Sequence, residues 1–130
     1  MSQEDVQLVQ GALDHFMATG EPDWSTLDEA IEVHDHDILD AGDYRGHDGF
    51  GRWLEDWGTA WAAYSFEPEE FIDAGDRIIA VIHMTTEGQS SGVETERQDA
   101  MVITMRDGRW LRVDYYNNRT QALEAVGLAE

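Results

Sequence analysis

The stretch that decides the fold is YRGHDGFGRWLEDWGTAWAAY, residues 44–64. Its apolar residues recur every three or four positions, which is the spacing of one face of an α-helix. They are Phe50, Trp53, Leu54, Trp57 and Trp61. The charged residues Arg52, Glu55 and Asp56 fall on the other side. Sequence typical of strands follows, so we expect this aromatic helix to cover a sheet, with its indoles either filling a core or lining a cavity.

The composition indicates one acidic domain covering residues 1–130. A chain of this length buries a core without needing disulfides or a metal. The net charge is −20 and lysine is absent. Such a surface repels phosphate backbones and anionic lipids, so we expect neither nucleic acid nor membrane as a partner. No apolar run reaches the length of a membrane span, and the absence of cysteine is compatible with the cytoplasm, where we expect the protein. The acidic, lysine-free balance also suggests either a salt-adapted or a high-GC organism.

The residues before the aromatic helix predict two further helices and a short strand. An apolar stripe predicts an opening helix that ends near Gly20; its members are Val6, Val9, Leu13, Phe16 and Met17. Ser25 or Thr26 is a suitable cap for a short second helix that continues to His34. We expect a brief strand at residues 36–39, and then a turn at residues 40–43.

After Tyr64 the pattern changes to that of strands. We expect an irregular strand at residues 65–72, a buried strand at 78–85, a long strand at 93–105 and a return strand at 110–116. Asp107 and Gly108 are a strong signal for a two-residue hairpin turn. A last helix is predicted at residues 121–126. Helices followed by an antiparallel meander indicate an α+β fold.

These residues carry a family resemblance that covers nearly the whole chain. The order of elements, the motif Tyr-Arg-Gly-His-Asp-Gly at 44–49, and the segments 71–76, 91–93, 106–109 and 121–128 resemble the SnoaL-like members of the nuclear transport factor 2-like superfamily. The resemblance implies a cone-shaped α+β barrel, in which a curved, mostly antiparallel sheet wraps around a pocket. Three N-terminal helices would close the pocket, a short C-terminal helix would follow, and the outer sheet face would form a homodimer. Relatives include polyketide cyclases, ketosteroid isomerase, epoxide hydrolases and dehydratases, so the fold alone does not decide the function.

Three residues are candidates for catalysis. Asp40 lies closest to the position of the general-base aspartate in ketosteroid isomerase, although it could equally open the turn at 40–43. His36 alternates with Ile38 and Asp40, and would therefore share their strand face. Asp99 resembles the single acid/base aspartate of polyketide cyclases, and is alternatively a surface acid at a strand end. Desolvation in a dry pocket would raise the pKa of such a carboxyl.

The substrate-binding candidates are mostly apolar. Phe16 and Met101 fall where the isomerase has its two hydrogen-bond donors, which makes that mechanism doubtful here. Trp53 and Trp57 would form an aromatic wall, although such a stripe is more often plain core.

The strand at residues 110–116 supplies two more substrate-binding candidates. Tyr115 and Asn117 follow the alternation of Leu111 and Val113, and would hydrogen-bond a ligand. On the opposite face, Trp110 and Tyr116 would point outward and suit a dimer interface.

Two motifs carry little weight. His34 and His36 have the spacing of a shared metal site on a strand, but no third ligand has a fixed spacing, so we expect no metal and no cofactor. The segment 88–92 matches the nucleophile-elbow pattern Gly-x-Ser-x-Gly, which needs a helix after the turn, whereas a strand is predicted there.

We therefore expect a cofactor-independent enzyme that moves a proton next to a carbonyl of an apolar small molecule. The alternatives are a non-catalytic module for hydrophobic-ligand binding or dimerisation, and an epoxide hydrolase or dehydratase-like enzyme acting through a bound water.

Overall fold

The structure is a computed structural model that describes residues 2–36, 44–88 and 91–128. Within these residues, three helices and six strands follow one another. They are α1 (Ser2–Thr19), β1 (Leu27–Asp35), β2 (Tyr44–Arg45), α2 (Gly46–Ala60), β3 (Trp61–Asp73), β4 (Arg77–Gly88), β5 (Glu94–Arg106), β6 (Arg109–Tyr116) and α3 (Arg119–Ala125). A short 3-10 turn, Trp24–Thr26, precedes β1.

The six strands form one mixed but mostly antiparallel sheet. Their order is β2-β1-β6-β5-β4-β3, and only β1 and β6 run parallel among the described pairs. In the described part of the chain the two edge strands do not pair with each other, so the sheet is open. The α+β fold predicted from the sequence is confirmed.

The sheet separates two hydrophobic clusters. The inner face carries the larger cluster, which includes Val9 of α1, Trp53 of α2 and Ile103 of β5. On the outer face, Ile79 and Val102 pack against α3. The inner cluster is where a pocket can form, because only this face is covered by the two long helices.

In the N-terminal half, the prediction of a second helix is wrong. Residues 27–35 form strand β1, and only the 3-10 turn at Trp24–Thr26 is helical. Asp23 caps this turn, since its side chain accepts from the backbone N–H of Ser25 at 3.2 Å. Residues 37–39 of the predicted short strand lie outside the described residues. The alternation of Ile31, Val33 and Asp35, all buried, is the pattern of a strand with one face in the core.

The aromatic helix is confirmed, but it is shorter than predicted. Helix α2 ends at Ala60, and Trp61 already belongs to β3. Phe50, Trp53 and Trp57 are buried, as their helical spacing predicts.

A β-bulge in β6 overturns the prediction that Trp110 points outward. Thr104 pairs with Arg112, whereas the next residue, Met105, pairs with Trp110, so Leu111 is the extra residue. The bulge brings Trp110 to the inner face, where it is only 4% exposed.

The second half otherwise agrees with the prediction. The hairpin between β5 and β6 turns at Asp107 and Gly108, both of which have positive φ, as a type I′ turn requires. Asn118 caps α3 by accepting from the N–H of Gln121 at 2.8 Å. No helix of the described residues is long and apolar enough to cross a membrane.

Candidate functional site

A cavity of about 90 Å³ lies on the inner face of the sheet, between α1, α2 and the strands. Its wall is made almost wholly of aromatic and aliphatic side chains. The aromatic residues are Phe16, Phe50, Trp53, Trp57, Tyr64, Phe66, Trp110 and Tyr115. Asp23 and Thr26, from the connection after α1, supply polar groups at one end. Such a wall suits an apolar ligand oriented by a few polar contacts.

Asp35 lies behind the aromatic wall, at the end of β1. The indole Nε1 of Trp53 donates to Asp35 Oδ2 at 2.8 Å, and the Nε1 of Trp57 donates to the same oxygen at 3.3 Å. Asp35 is 7% exposed. A carboxylate withdrawn from water needs such donors. The two indoles therefore have a double role, because their rings face the cavity while their N–H groups hold Asp35.

A second buried carboxylate, Asp99, is bonded to another residue of the wall. The hydroxyl of Tyr115 donates to Asp99 Oδ2, and Arg97 Nε donates to Asp99 Oδ1 at 2.9 Å. Asp99 is 0% exposed. Burial raises the pKa of Tyr115 well above its ordinary value, and the charge of Asp99 adds to this. Tyr115 therefore stays protonated and keeps donating to Asp99.

Asp35 on β1 and Asp99 on β5 lie on the two strands that flank β6, which carries Tyr115. Asp35 pairs with Tyr115 across β1 and β6, and Met101 pairs with Tyr115 across β6 and β5. The ring of Tyr115 makes edge contacts with Trp53 and Trp57, at centroid distances of 5.7 and 5.4 Å.

Arg97 reaches the same group of side chains from β5. Its Cζ lies 5.4 Å from the ring centroid of Trp57, in cation–π geometry. Its guanidinium thus contacts both Asp99 and the aromatic wall.

Most of the predicted substrate-binding residues line the cavity. They are Phe16, Trp53, Trp57, Met101 and Tyr115. Asn117 lies beyond β6, is exposed, and accepts from Asn118 Nδ2 at 3.3 Å. Asp99 lies behind Tyr115, and Asp40 lies outside the described residues.

His36 lies on the outer side of the sheet, away from the cavity wall. Its ring stacks on Tyr116 at a centroid distance of 4.5 Å, and its Nε2 lies 2.9 Å from Asp114 Oδ1. Burial alone would raise the pKa of Asp114, but hydrogen bonds from Arg112 and His36 outweigh it, and that pKa is lowered. His34 is bonded to Glu32 instead. Among the described residues no group of three metal-ligating side chains comes together.

Sequence reasoning missed Asp35, Arg97 and Trp110. Asp35 could have been found from the alternation with Ile31 and Val33, had residues 27–35 been interpreted as a strand. Arg97 shares the strand face of Asp99 and Met101, since it lies two residues before Asp99. For Trp110 no local signal exists, because the bulge at Leu111 depends on the pairing with β5.

The indole N–H of Trp110 has no hydrogen-bond partner within the part of the chain that the structure describes. It is buried on a side chain that lines the cavity. Native proteins rarely leave a buried donor unpaired.

Comparisons with known proteins agree with this fold. Residues 10–113 match the family described as SnoaL-like domain. No curated protein matches the chain.

Solved structures share the fold over nearly the whole chain. An NTF2-like protein from Burkholderia xenovorans LB400 is 26% identical, with a TM-score of 0.72 and 97% of each chain covered. A putative SnoaL-like polyketide cyclase from Jannaschia sp. CCS1 is 15% identical, with a TM-score of 0.74, covering 99% of this chain and 94% of that one. TerC, co-crystallised with polyporic acid, is 19% identical, with a TM-score of 0.74 and 95% and 98% of the two chains covered. Since the family match spans most of the sequence, the chain belongs to the SnoaL-like domain family.

Proposed function

We propose that the protein binds an apolar, ring-containing small molecule in the inner cavity and moves a proton next to a carbonyl of that molecule. The observation that carries this proposal is the Asp35 carboxylate, held by the two indoles of the cavity wall. A buried carboxylate beside an apolar pocket is a suitable general base. TerC, which shares the fold, was crystallised with polyporic acid, and this supports a ligand of the same general kind.

Asp35 is better placed for the proton transfer than Asp99. Asp99 is wholly buried, whereas Asp35 keeps 7% of its surface exposed and accepts from the two indoles of the wall at one of its oxygens, Oδ2. The carboxylate would take a proton from the carbon next to the carbonyl. The electrons of that C–H bond would form the C=C bond of an enolate, and reprotonation at a carbon would complete the reaction. Asp99 would keep the Tyr115 ring in place.

The test uses hydrogen exchange, because it needs no knowledge of the natural substrate. 2-Tetralone is incubated with the protein in D₂O, and loss of the protons next to its carbonyl is followed by NMR. We expect Asp35→Asn to slow the catalysed exchange at least about a hundredfold, the lower end of the usual contribution of a general base. Asn keeps an oxygen that can accept from an indole, so the wall is preserved. Glu55→Gln, an exposed change on α2, is the control and should leave the rate unchanged.

Other results of the exchange experiment would point to a different base or to a different function. Loss of exchange in Asp99→Asn, with full exchange in Asp35→Asn, would move the base to Asp99. Wild-type protein that binds the ketone without accelerating exchange would favour the alternative, a non-catalytic binding module. Phe16 and Met101 favour this alternative, because both add hydrocarbon to the wall where a donor would help an enolate. No observation favours the water-dependent enzyme, since His36 lies on the other side of the sheet.

We also propose that the protein is a cytoplasmic homodimer formed through the outer sheet face. The absence of cysteine is compatible with a reducing compartment, and cell fractionation would check the location. The stacked rings of His36 and Tyr116 on that face support the interface, since aromatic residues anchor such contacts. Sedimentation should give a dimer for the wild type and a monomer for Tyr116→Glu, and a wild-type monomer would refute the proposal.

A further inference from the structure

The indole N–H of Trp110 is a buried hydrogen-bond donor without an acceptor among the described residues. Trp110 is 4% exposed, lines the cavity, and finds no acceptor in the described ranges. An unpaired buried donor destabilises a protein by roughly as much as a lost hydrogen bond. An acceptor on a bound ligand would remove the penalty.

The rest of the wall has few donors to offer. Trp53 and Trp57 give their N–H groups to Asp35, and the hydroxyl of Tyr115 goes to Asp99. Phe16 and Met101 have no polar hydrogen. Unlike Trp53 and Trp57, Trp110 therefore has an indole N–H that a ligand can accept from.

Trp110 also lies apart from Asp35 along the sheet. Trp110 pairs with Leu27 at the start of β1, whereas Asp35, at the end of β1, pairs with Tyr115. Five residues along a strand span about 15 Å, slightly less across a bulge. Even allowing for the reach of the indole, the acceptor on Trp110 and the carbon near Asp35 belong to different parts of a ligand.

We infer that Trp110 anchors the ligand by donating its indole N–H to a carbonyl or hydroxyl oxygen remote from the carbon that faces Asp35. The ligand class is then an elongated, apolar, multi-ring molecule with a hydrogen-bond acceptor at the end near Trp110. An ionised carboxylate is disfavoured as that acceptor, because the protein carries a charge of −20 and Asp23 lines the same cavity. This inference rests on the proposed function, since it assumes that the cavity binds an apolar ligand.

The experiment compares two probes that differ by one hydroxyl at the ring end remote from the ketone, 6-hydroxy-2-tetralone and 2-tetralone. Binding constants are measured for the wild type, for Trp110→Phe, which keeps an aromatic ring but loses the N–H, and for Trp24→Phe. Trp24 is the control, because its indole is 37% exposed and is absent from the cavity wall. Taking the ratio of the two affinities removes the effect of the smaller phenyl ring, which acts on both probes alike.

We expect Trp110→Phe to lower the preference for 6-hydroxy-2-tetralone over 2-tetralone about tenfold, the loss of one buried hydrogen bond. Trp24→Phe should leave the ratio unchanged. In the wild type, the indole N–H resonance of Trp110 should move further downfield with 6-hydroxy-2-tetralone than with 2-tetralone, and this readout requires no variant to fold.

The outcomes separate the two proposals. An unchanged ratio in Trp110→Phe, or equal shifts of the N–H resonance with both probes, would overturn the anchoring role while leaving apolar binding intact. If the wild type binds neither probe, the proposed function fails, and the inference fails with it.

Discussion

The hydrogen bond between Tyr115 and Asp99 should make a measurable contribution to stability. Tyr115→Phe removes only the hydroxyl, and the ring keeps its contacts with Trp53 and Trp57. Both partners are buried, Tyr115 at 3% and Asp99 at 0% exposure, so water does not replace the lost donor. A hydrogen bond to a charged group contributes about 1.5–3 kcal/mol, and we expect a loss of about 2 kcal/mol in the free energy of unfolding.

Replacing Asp99 should destabilise the protein more than removing the hydroxyl of Tyr115. Asp99→Asn removes the negative charge of the ion pair with Arg97, whose side chain is 22% exposed. Breaking a buried ion pair costs about 3–5 kcal/mol, and the partial exposure of Arg97 places the expected loss near the lower end. The double variant should lose less than the sum of the two single losses by at least about 1 kcal/mol, because the residues share one bond.

The assay is urea unfolding, followed by tryptophan fluorescence and by circular dichroism. Tyr116→Phe is the matched control, as this tyrosine lies next in sequence but on the outer face, and its change should stay within about 0.5 kcal/mol. The raised pKa of Tyr115 in the folded state means that its contribution is complete below the unfolded pKa of about 10, and is lost at higher pH. A loss below about 0.5 kcal/mol in Tyr115→Phe, or strict additivity, would refute the reasoning.

Three further predictions concern the outer face, a helix and the charge of the protein. Because the pKa of Asp114 is lowered in the folded state, its carboxylate stabilises the fold at pH values above its unfolded pKa of about 4. Asp114→Asn should therefore lose about 1 kcal/mol of unfolding free energy at neutral pH. When the unfolding free energy is measured at decreasing pH, the difference between the variant and the wild type should vanish below that pKa. Gly49→Ala should destabilise by about 1–3 kcal/mol, because a Cβ would lie 2.8 Å from the backbone carbon of Tyr44, whereas Gly58→Ala on the same helix meets nothing and should stabilise by up to about 1 kcal/mol; equal melting temperatures would contradict this. Because salt screens the repulsion within a protein of charge −20, ~1 M salt should raise the melting temperature. An unchanged melting temperature would contradict the salt-adaptation hypothesis.

The sequence predicted those elements whose local signals agree with one another. Helix α2 has an apolar face at helical spacing, and the β5–β6 hairpin has Asp107 and Gly108 at its turn. Both features depend on residues that are close in the chain, so they can be inferred without knowing what packs against them. The aromatic wall followed from α2 for the same reason.

Strand β1 was missed because two patterns compete in residues 27–35. Thr26 followed three residues later by Glu29 matches a helix cap, and Leu27 and Ile31 have helical spacing. The alternation that ends in Asp35 fits a strand equally well, and pairing with β6 decides in its favour. Because the strand was not predicted, the inward orientation of Asp35 at its end was not predicted either.

The one-residue bulge at Leu111 also affects how this protein should be aligned with its relatives. A relative with a regular strand here would present to the cavity the residue aligned with Leu111, and would turn outward the one aligned with Trp110. Column-by-column comparison would therefore pair an indole in one cavity with an outward-facing side chain in another. Insertion or deletion of a single residue can exchange the chemistry of this wall without any substitution, so alignments of the family at this strand should follow the hydrogen-bond register and not residue identity.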